Sequence, residues 1–271
     1  MLAVLKIVCW AAGMYLALVA TVWFFQRRLQ YFPDPSEPEL PSEEGAAGLR
    51  EVELTSADGL RLEAWHWPGE RALTVLMLHG NAGHRGHRLD WMRDLRSLGL
   101  GVFVLDYRGF GGSEGSPSEA GLRLDARAAV EWLERNAPGE RVYFGESLGA
   151  GVALAIAGEL PPSALILQSG SACFVDVAQD AYPFLPCGLL MKDRFDSRGQ
   201  LASIACPVLA IHGDRDALVA PAHGRAMFAA LSGPKEWYEV RAAGHNDLPW
   251  VAGEEYLRRI RAFLETHGLL R

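Results

Sequence analysis

The order of apolar segments predicts an α/β fold: a mostly parallel sheet with helices on both faces. Three observations carry this. From residue 74 onward short apolar runs alternate with helical stretches, the stretches between runs are long enough for crossovers, and an antiparallel pair precedes them. The lead-in pair is Arg50–Ser56 and Leu60–Trp67, where apolar and polar residues alternate around the turn signal Ala57-Asp58-Gly59. Thr74–Leu78 is continuously apolar, as a strand covered on both faces should be. A helix over Arg88–Leu98 leads to a second buried strand, Gly101–Leu105. Ser116-Pro117-Ser118-Glu119 has capping-box spacing with proline in the first turn, so a helix is predicted to open there and run to about Asn136. Strand 142–145, helix 148–159 and strand Ala164–Gln168 follow, and then a long excursion. The chain resumes with strand Val208–His212, a helix from near Pro221, strand Glu236–Val240 and a last helix from about Val251 to Thr266. The expected sheet has eight strands, two antiparallel and six joined by crossovers.

Gly145-Glu146-Ser147-Leu148-Gly149 falls between the apolar strand Arg141–Phe144 and the apolar helix that starts at Ala150. A serine on so tight a strand-to-helix turn presents its hydroxyl above the sheet and aims the following N–H groups at a reacting oxygen. Gly111-Gly112-Ser113-Glu114-Gly115 fits the same pattern, but it lies in a glycine-rich loop beyond its strand and Pro117 precedes any helix. Its expected role is a flexible turn. Context selects Ser147.

The 271-residue chain has room for one full-size domain and an appendage. Of its 26 lysines and arginines, Lys6, Arg27 and Arg28 fall in residues 1–30 with no acid among them, leaving 23 basic against 33 acidic residues in the remainder. So acidic a body excludes nucleic acid as a partner, because phosphate binding needs a basic face. Ile7–Phe25 holds 19 uncharged residues between Lys6 and Arg27-Arg28, with aromatics near both ends, enough for a helix across a bilayer. A cleaved secretory signal is the rival reading. The apolar run exceeds a signal core, and Phe24-Phe25-Gln26 stands where a small-residue cleavage site would be. The domain organisation is therefore an anchor over 1–30, an exposed and extended Pro/Glu-rich linker over 31–49, and a body over 50–271 with a cap at about 171–206. The positive charges flanking the span nearly balance, so they fix neither orientation.

Ligands of such sheets bind beyond the carboxyl ends of the strands. There stand His79-Gly80-Asn81-Ala82-Gly83, then Ser147, then Gly213-Asp214-Arg215-Asp216, then Ala243-Gly244-His245-Asn246-Asp247. A nucleophile, an acid and a histidine thus reach one edge in the order Ser…Asp…His. His245 is chosen among eight histidines because it follows the last strand, whereas His223 lies in a helix and His267 in the tail. Asp214 and Asp216 both remain candidates for the acid. His79 is expected to be a packed histidine, not a base.

Over residues 50–267 this arrangement resembles the alpha/beta-hydrolase superfamily. Leu105–Ser113 and the His79–Gly83 motif are similar to its membrane-anchored alpha/beta-hydrolase-domain branch. The resemblance implies a serine hydrolase with Ser147 as nucleophile, His245 as base and Asp216, the later acid of Gly-x-x-Asp, as the group that orients the imidazole. Asp214 would then be a turn residue. It also implies an oxyanion hole from the backbone N–H groups of Asn81 and Leu148, and a small-molecule or lipid acyl substrate with no cofactor and no metal.

His84 and His87, with His79 and Asp90, crowd one loop without the helical spacing that holds zinc. Gly109–Gly115 lacks the Gly-Lys-Ser/Thr ending of a phosphate loop. In the cap, Cys173 and Cys187 are either a disulfide or two thiols. Phe174, Tyr182, Phe184, Leu185, Leu189, Leu190 and Met191 make the cap apolar, either as a helix packed on the body or as an acyl-chain surface near a bilayer. Two functions remain open: a membrane-tethered serine hydrolase, and a catalytically silent relative serving as a binding or scaffold module.

Overall fold

The structure, a computed structural model, describes residues 1–270. Its main sheet has eight strands: β1 Arg50–Thr55, β2 Arg61–Trp67, β3 Leu73–Leu78, β4 Gly101–Leu105, β5 Glu140–Glu146, β6 Ala164–Gln168, β7 Val208–Gly213 and β8 Lys235–Val240. They lie in the order β8-β7-β6-β5-β3-β4-β2-β1. β2 is antiparallel to β1 and β4, and every other pairing is parallel.

Register explains the two-sided burial. Leu76 and Leu78 of β3 face the same side as Phe103, Tyr143 and Leu165, and there they meet Leu133 of helix Glu119–Asn136 and Val152 and Leu154 of helix Leu148–Ala157. Val75 and Met77 face the other side with Val102, Phe144 and Ile166, against Met92, Leu95, Ile260 and Phe263. Because side chains alternate faces, a slip of one residue would exchange the two cores. Besides one helical turn, Glu43–Ala46, inside the stretch expected to be extended, the helices are α1 Leu2–Gln30, α2 Leu89–Arg96, α3 Glu119–Asn136, α4 Leu148–Ala157, α5 Phe174–Ala181, α6 Cys187–Leu190, α7 Pro221–Ala230, α8 Leu248–Ala252 and α9 Glu254–Thr266. From β3 the chain moves outward to β4, then crosses back to place β5 on the opposite side of β3. That reversal opens a crevice at the carboxyl ends of β3 and β5, where ligands of such sheets bind.

Two local expectations are corrected. The start of α3 is capped by Ser118, whose hydroxyl accepts the Gly121 N–H at 3.1 Å, not by Ser116. Glu119 is released from any capping box and instead accepts the Arg194 N–H of the cap at 2.6 Å. Residues 31–49 are also less free than an exposed linker. Tyr31 is only 3% exposed and belongs to the core, Phe32–Pro33 pairs in parallel with Ala82–Gly83, and Ala46 and Leu49 pack beside Trp65 and Trp67. The anchoring residues are isolated along the chain and carry no periodicity. Composition therefore described only the stretch between them.

Candidate active site

The turn after β5 is as tight as its sequence demands. Ser147 sits at φ 51° and ψ −109°, a conformation costly for a residue with a side chain and sustained only where the surroundings fix it. The flanking glycines make the approach possible. A Cβ on Gly145 would lie 2.5 Å from Ala150 Cα, and one on Gly149 would lie 1.8 Å from the Leu78 carbonyl oxygen. Since backbone must shift to relieve that contact, Gly149→Ala is expected to cost at least about 2 kcal/mol. A thermal melt should show a fall of at least about 5 °C.

The structure brings Ser147, His245 and Asp216 into one hydrogen-bonded line. Ser147 Oγ is 2.8 Å from His245 Nε2, and His245 Nδ1 is 2.7 Å from Asp216 Oδ2. Nδ1–H donates to the carboxylate, which leaves the Nε2 lone pair facing the hydroxyl. The Asp216 carboxylate is buried, yet Oδ1 accepts N–H groups from Leu218 and Val219, both at 2.9 Å, and His212 Nε2 lies 3.3 Å from Oδ2. Burial alone would push this carboxyl up. The hydrogen bonds from His212, His245 and the backbone outweigh it and hold the group well below the usual carboxylate range. Asp214 is engaged elsewhere: its Oδ1 accepts the Ala242 N–H at 2.6 Å and ties the loop after β7 to the loop after β8. The histidine loop has a further brace in the Ser169 hydroxyl, which donates to the His245 carbonyl at 3.3 Å.

Leu148 is the first residue of α4, so its N–H has no acceptor within the helix. Asn81 lies in the loop after β3, across the crevice. Several groups that the sequence reading missed hold that loop. Glu146 Oε2 accepts the Gly80 N–H at 3.3 Å and the Arg88 guanidinium at 3.0 Å, while Arg88 also donates to the Ala82 carbonyl at 3.2 Å. On the other side the Asn81 carbonyl accepts the Phe32 N–H at 2.8 Å, and Asn81 Nδ2 donates to the Gln30 carbonyl at 3.0 Å. A charged residue inside the serine turn was the one available signal for Glu146. Nothing in the sequence marked Gln30 or Arg88.

The remaining candidates have structural work. His79 is buried, with Nδ1 2.8 Å from the Gly80 carbonyl and Nε2 3.4 Å from Asp106, whose carboxylate is paired with the buried Arg85 at 2.6 Å. Ser113 is not part of a flexible turn. It is buried, accepts the Glu63 N–H at 2.8 Å and donates to the Asp106 carbonyl at 2.9 Å. Asp90 pairs with Arg93 at 2.9 Å, whereas Asp34, His84 and His87 place possible ligand atoms within 4.8 Å of one another. Their hydrogen bonds argue against a metal centre. His84 Nδ1 accepts the Gly86 N–H at 3.1 Å and His87 Nδ1 accepts the His84 N–H at 3.3 Å, so the neutral rings carry hydrogen on Nε2. Metal-binding histidines show the reverse, the second nitrogen donating to an acceptor. Cys173 and Cys187 are free, buried thiols.

Comparison with known proteins shows the family of the chain. A family profile described as "Serine aminopeptidase, S33" matches residues 69–201. An uncharacterized protein of Mycobacterium tuberculosis is 41% identical over 265 residues, covering 94% of each chain. The alpha/beta hydrolase domain-containing protein WAV2 of Arabidopsis thaliana is 32% identical, covering 94% of this chain and 92% of its own. The chain belongs to the alpha/beta-hydrolase superfamily. Within it, the lysophosphatidylserine lipase ABHD12 of Danio rerio is 30% identical over 82% of this chain and 71% of that one. Among solved structures, an esterase of Pyrococcus furiosus superposes with a TM-score of 0.75 at 22% identity, covering 88% of this chain and 97% of the esterase. The superfamily is one of serine hydrolases and esterases, and its eight-stranded, mostly parallel sheet is the one described above.

Proposed function

We propose that the chain is a membrane-tethered serine hydrolase that cleaves a carboxylic ester, thioester or amide through an acyl-enzyme on Ser147. The observation that carries this reading is the unbroken line Ser147–His245–Asp216, at 2.8 and 2.7 Å. A serine hydroxyl is a weak nucleophile until a base takes its proton. As Ser147 Oγ bonds to the acyl carbon, its proton passes to His245 Nε2, and Asp216 stabilises the resulting imidazolium while holding the ring in the required tautomer. The carbonyl oxygen, now negative, receives the N–H groups of Leu148 and Asn81, an interaction worth a few kcal/mol that is made only as the tetrahedral species forms. His245 then gives the proton to the departing alcohol, thiol or amine. Water, deprotonated by the same imidazole, releases the acid in a second cycle.

The substrate class assigned is an acyl group carried by a lipid. The apolar cap, the 29-residue helix α1 and the lipase among the relatives support it. The test is labelling with a fluorophosphonate probe, followed by a screen of short- and long-chain esters. A folded protein that takes no label and turns over no ester would leave a silent binding module as the reading.

Residues 1–30 are assigned as the anchor. From the sequence, removing all of them should release an active, soluble enzyme. The contacts of Gln30 and Tyr31 change that expectation. Deletion of residues 1–22, in mild detergent, should keep turnover of a small soluble ester. Deletion of 1–31 takes away the Gln30 carbonyl that holds Asn81 and the buried Tyr31 ring. Its kcat is expected to fall about a hundredfold, the scale of an ångström-sized displacement of a reacting group, with little change in KM. Equal kcat for the two truncations would show that the end of α1 does not position the loop.

A further inference from the structure

The cap and α1 are built as one unit. Tyr15, Val19, Val22, Gln26 and Gln30 follow one another at helical spacing and form a single stripe down α1. Along that stripe the Tyr15 hydroxyl donates to the Phe184 carbonyl at 2.9 Å, Val19 and Val22 pack on the cluster of Cys173, Val175, Leu185 and Cys187, and Gln30 Nε2 donates to the Asp193 carbonyl at 3.2 Å. The cap therefore lies alongside the helix, not merely at its end.

The two segments change character at the same level. Ala181–Met191 is a run of eleven residues with no charge, and Lys192-Asp193-Arg194 follows it. Lys192 and Asp193 meet α1 where its own charges begin. Arg27 pairs with Asp193 at 2.8 Å, and the Lys192 ammonium lies 3.9 Å from the centre of the Trp23 ring. At the other end of the run Asp180 pairs with His223 of α7 at 2.9 Å, on the body side. Between Lys6 and Arg27 of α1 and between Asp180 and Lys192 of the cap there is no charge, so Arg27 with Lys192 and Asp193 marks a common boundary. Beyond it Tyr182, Phe184 and Leu189 are 52%, 59% and 87% exposed, next to the exposed apolar surface of α1.

Backbone hydrogen bonding points the same way. Irregular chain placed in hydrocarbon must satisfy its polar groups internally. Pro183 and Pro186 have no N–H, and each N–H from Leu189 to Lys192 has an acceptor, the last being Gln26 Oε1 at 2.7 Å. Gln179 donates to the Leu185 carbonyl at 3.0 Å and accepts the Cys187 N–H at 3.2 Å, while Gln26 donates to the Leu190 carbonyl at 3.1 Å. Amide side chains occupy the places that water takes in an exposed loop.

We infer that residues 181–191 insert into the bilayer leaflet on the Arg27–Arg28 side of α1, so that the cap is seated in lipid beside the helix. The proposal rests on α1 crossing the membrane, as the functional reading has it. The eleven residue steps from Tyr15 to Gln26 make about 16 Å of helix. That is close to half of a hydrocarbon core about 30 Å thick, so the tip reaches through about one leaflet. An acyl chain then passes from lipid to the cap without crossing water.

Crosslinking of the full-length chain in phosphatidylcholine vesicles tests the surface whether or not Ser147 is a nucleophile. The photoreactive residue p-benzoylphenylalanine is placed, one position at a time, at Phe184, Leu189, Trp10 and Asn136. Lipid adducts are expected at 184, 189 and 10, and none at exposed Asn136 beyond the amino ends of the strands. Adducts at 10 but not at 184 or 189, or crosslinks from 184 and 189 to a second copy of the chain, overturn the proposal alone. No adduct at 10 removes the tether as well. In a second arm, Leu189→Glu should leave turnover of a soluble short-chain ester unchanged. It should lower turnover of a vesicle-borne long-chain ester at least about tenfold, since a carboxylate is costly in hydrocarbon. Unchanged turnover of the vesicle-borne ester would also overturn the insertion.

Discussion

Ser147→Ala is expected to abolish fluorophosphonate labelling and to lower kcat by at least about ten-thousandfold, while the protein stays folded. In the proposed mechanism the hydroxyl forms the covalent bond, and losing a nucleophile removes nearly all catalysis beyond what binding and the oxyanion donors supply. The fold should tolerate the change, because the elbow is held by its backbone: the Ser147 N–H donates to the Gln168 carbonyl at 2.8 Å whatever the side chain. Ser113→Ala is the matched control, since its sequence context also reads Gly-x-Ser-x-Gly. It should keep labelling and turnover. Its cost appears in stability, about 1–3 kcal/mol, because the buried Glu63 N–H loses its acceptor. Labelling, steady-state kinetics and thermal melts on both variants decide the assignment. A silent Ser113 variant with an active Ser147 variant would place the nucleophile on the wrong turn.

The sheet and the serine turn were legible because their signals are local or periodic. Continuous apolar runs such as Thr74–Leu78 have few other solutions, and a Gly-x-Ser-x-Gly stretch between strand and helix fixes its own geometry. The meeting of Ser147 with Asp216 and His245 followed from topology, since parallel strands deliver all their following loops to one edge. What the sequence did not show is contact made across distance by single residues. Gln30 reaches Asn81 through a carbonyl that every residue has, and Glu146 meets Arg88 only after the chain has passed through β4 and α3. Pro and Glu suggested a free linker over 31–49, while Tyr31 and Leu49, too sparse to form a pattern, hold its ends. The cap's alliance with α1 was hidden for the same reason: a stripe of five residues on a helix that is apolar all round does not stand out. These long-range links share a consequence. The loop that would carry an oxyanion donor and the cap are both hydrogen-bonded to the end of α1, so on the proposed reading the seating of the cap and the position of that loop depend on the same few residues.

Substitution of the two aspartates in the loop after β7 is expected to separate catalysis from folding. Asp216→Asn is expected to lower kcat at least about a hundredfold with KM little changed, the signature of an interaction made in the transition state. An amide in this position must choose. If its oxygen faces His245 Nδ1, its NH2 confronts the Leu218 and Val219 N–H groups; if it turns over, NH2 meets Nδ1 and enforces the wrong tautomer. Asp214→Asn keeps an oxygen that can accept the Ala242 N–H, so its cost should be about 1 kcal/mol of stability and its rate should be little changed. Acid sensitivity gives an independent readout. The Asp216 carboxyl is held well below its unfolded value, so the stability it contributes is present above about pH 4 and is lost as pH falls below that. Melts between neutral and acid pH should therefore show a shallower acid loss in Asp216→Asn than in the parent or in Asp214→Asn. If both variants lost little activity, the imidazole would be oriented by another group and Asp216 would be a structural carboxylate. If Asp214→Asn lost as much as Asp216→Asn, the coupling between the two loops, and not the bond to His245, would be what catalysis requires.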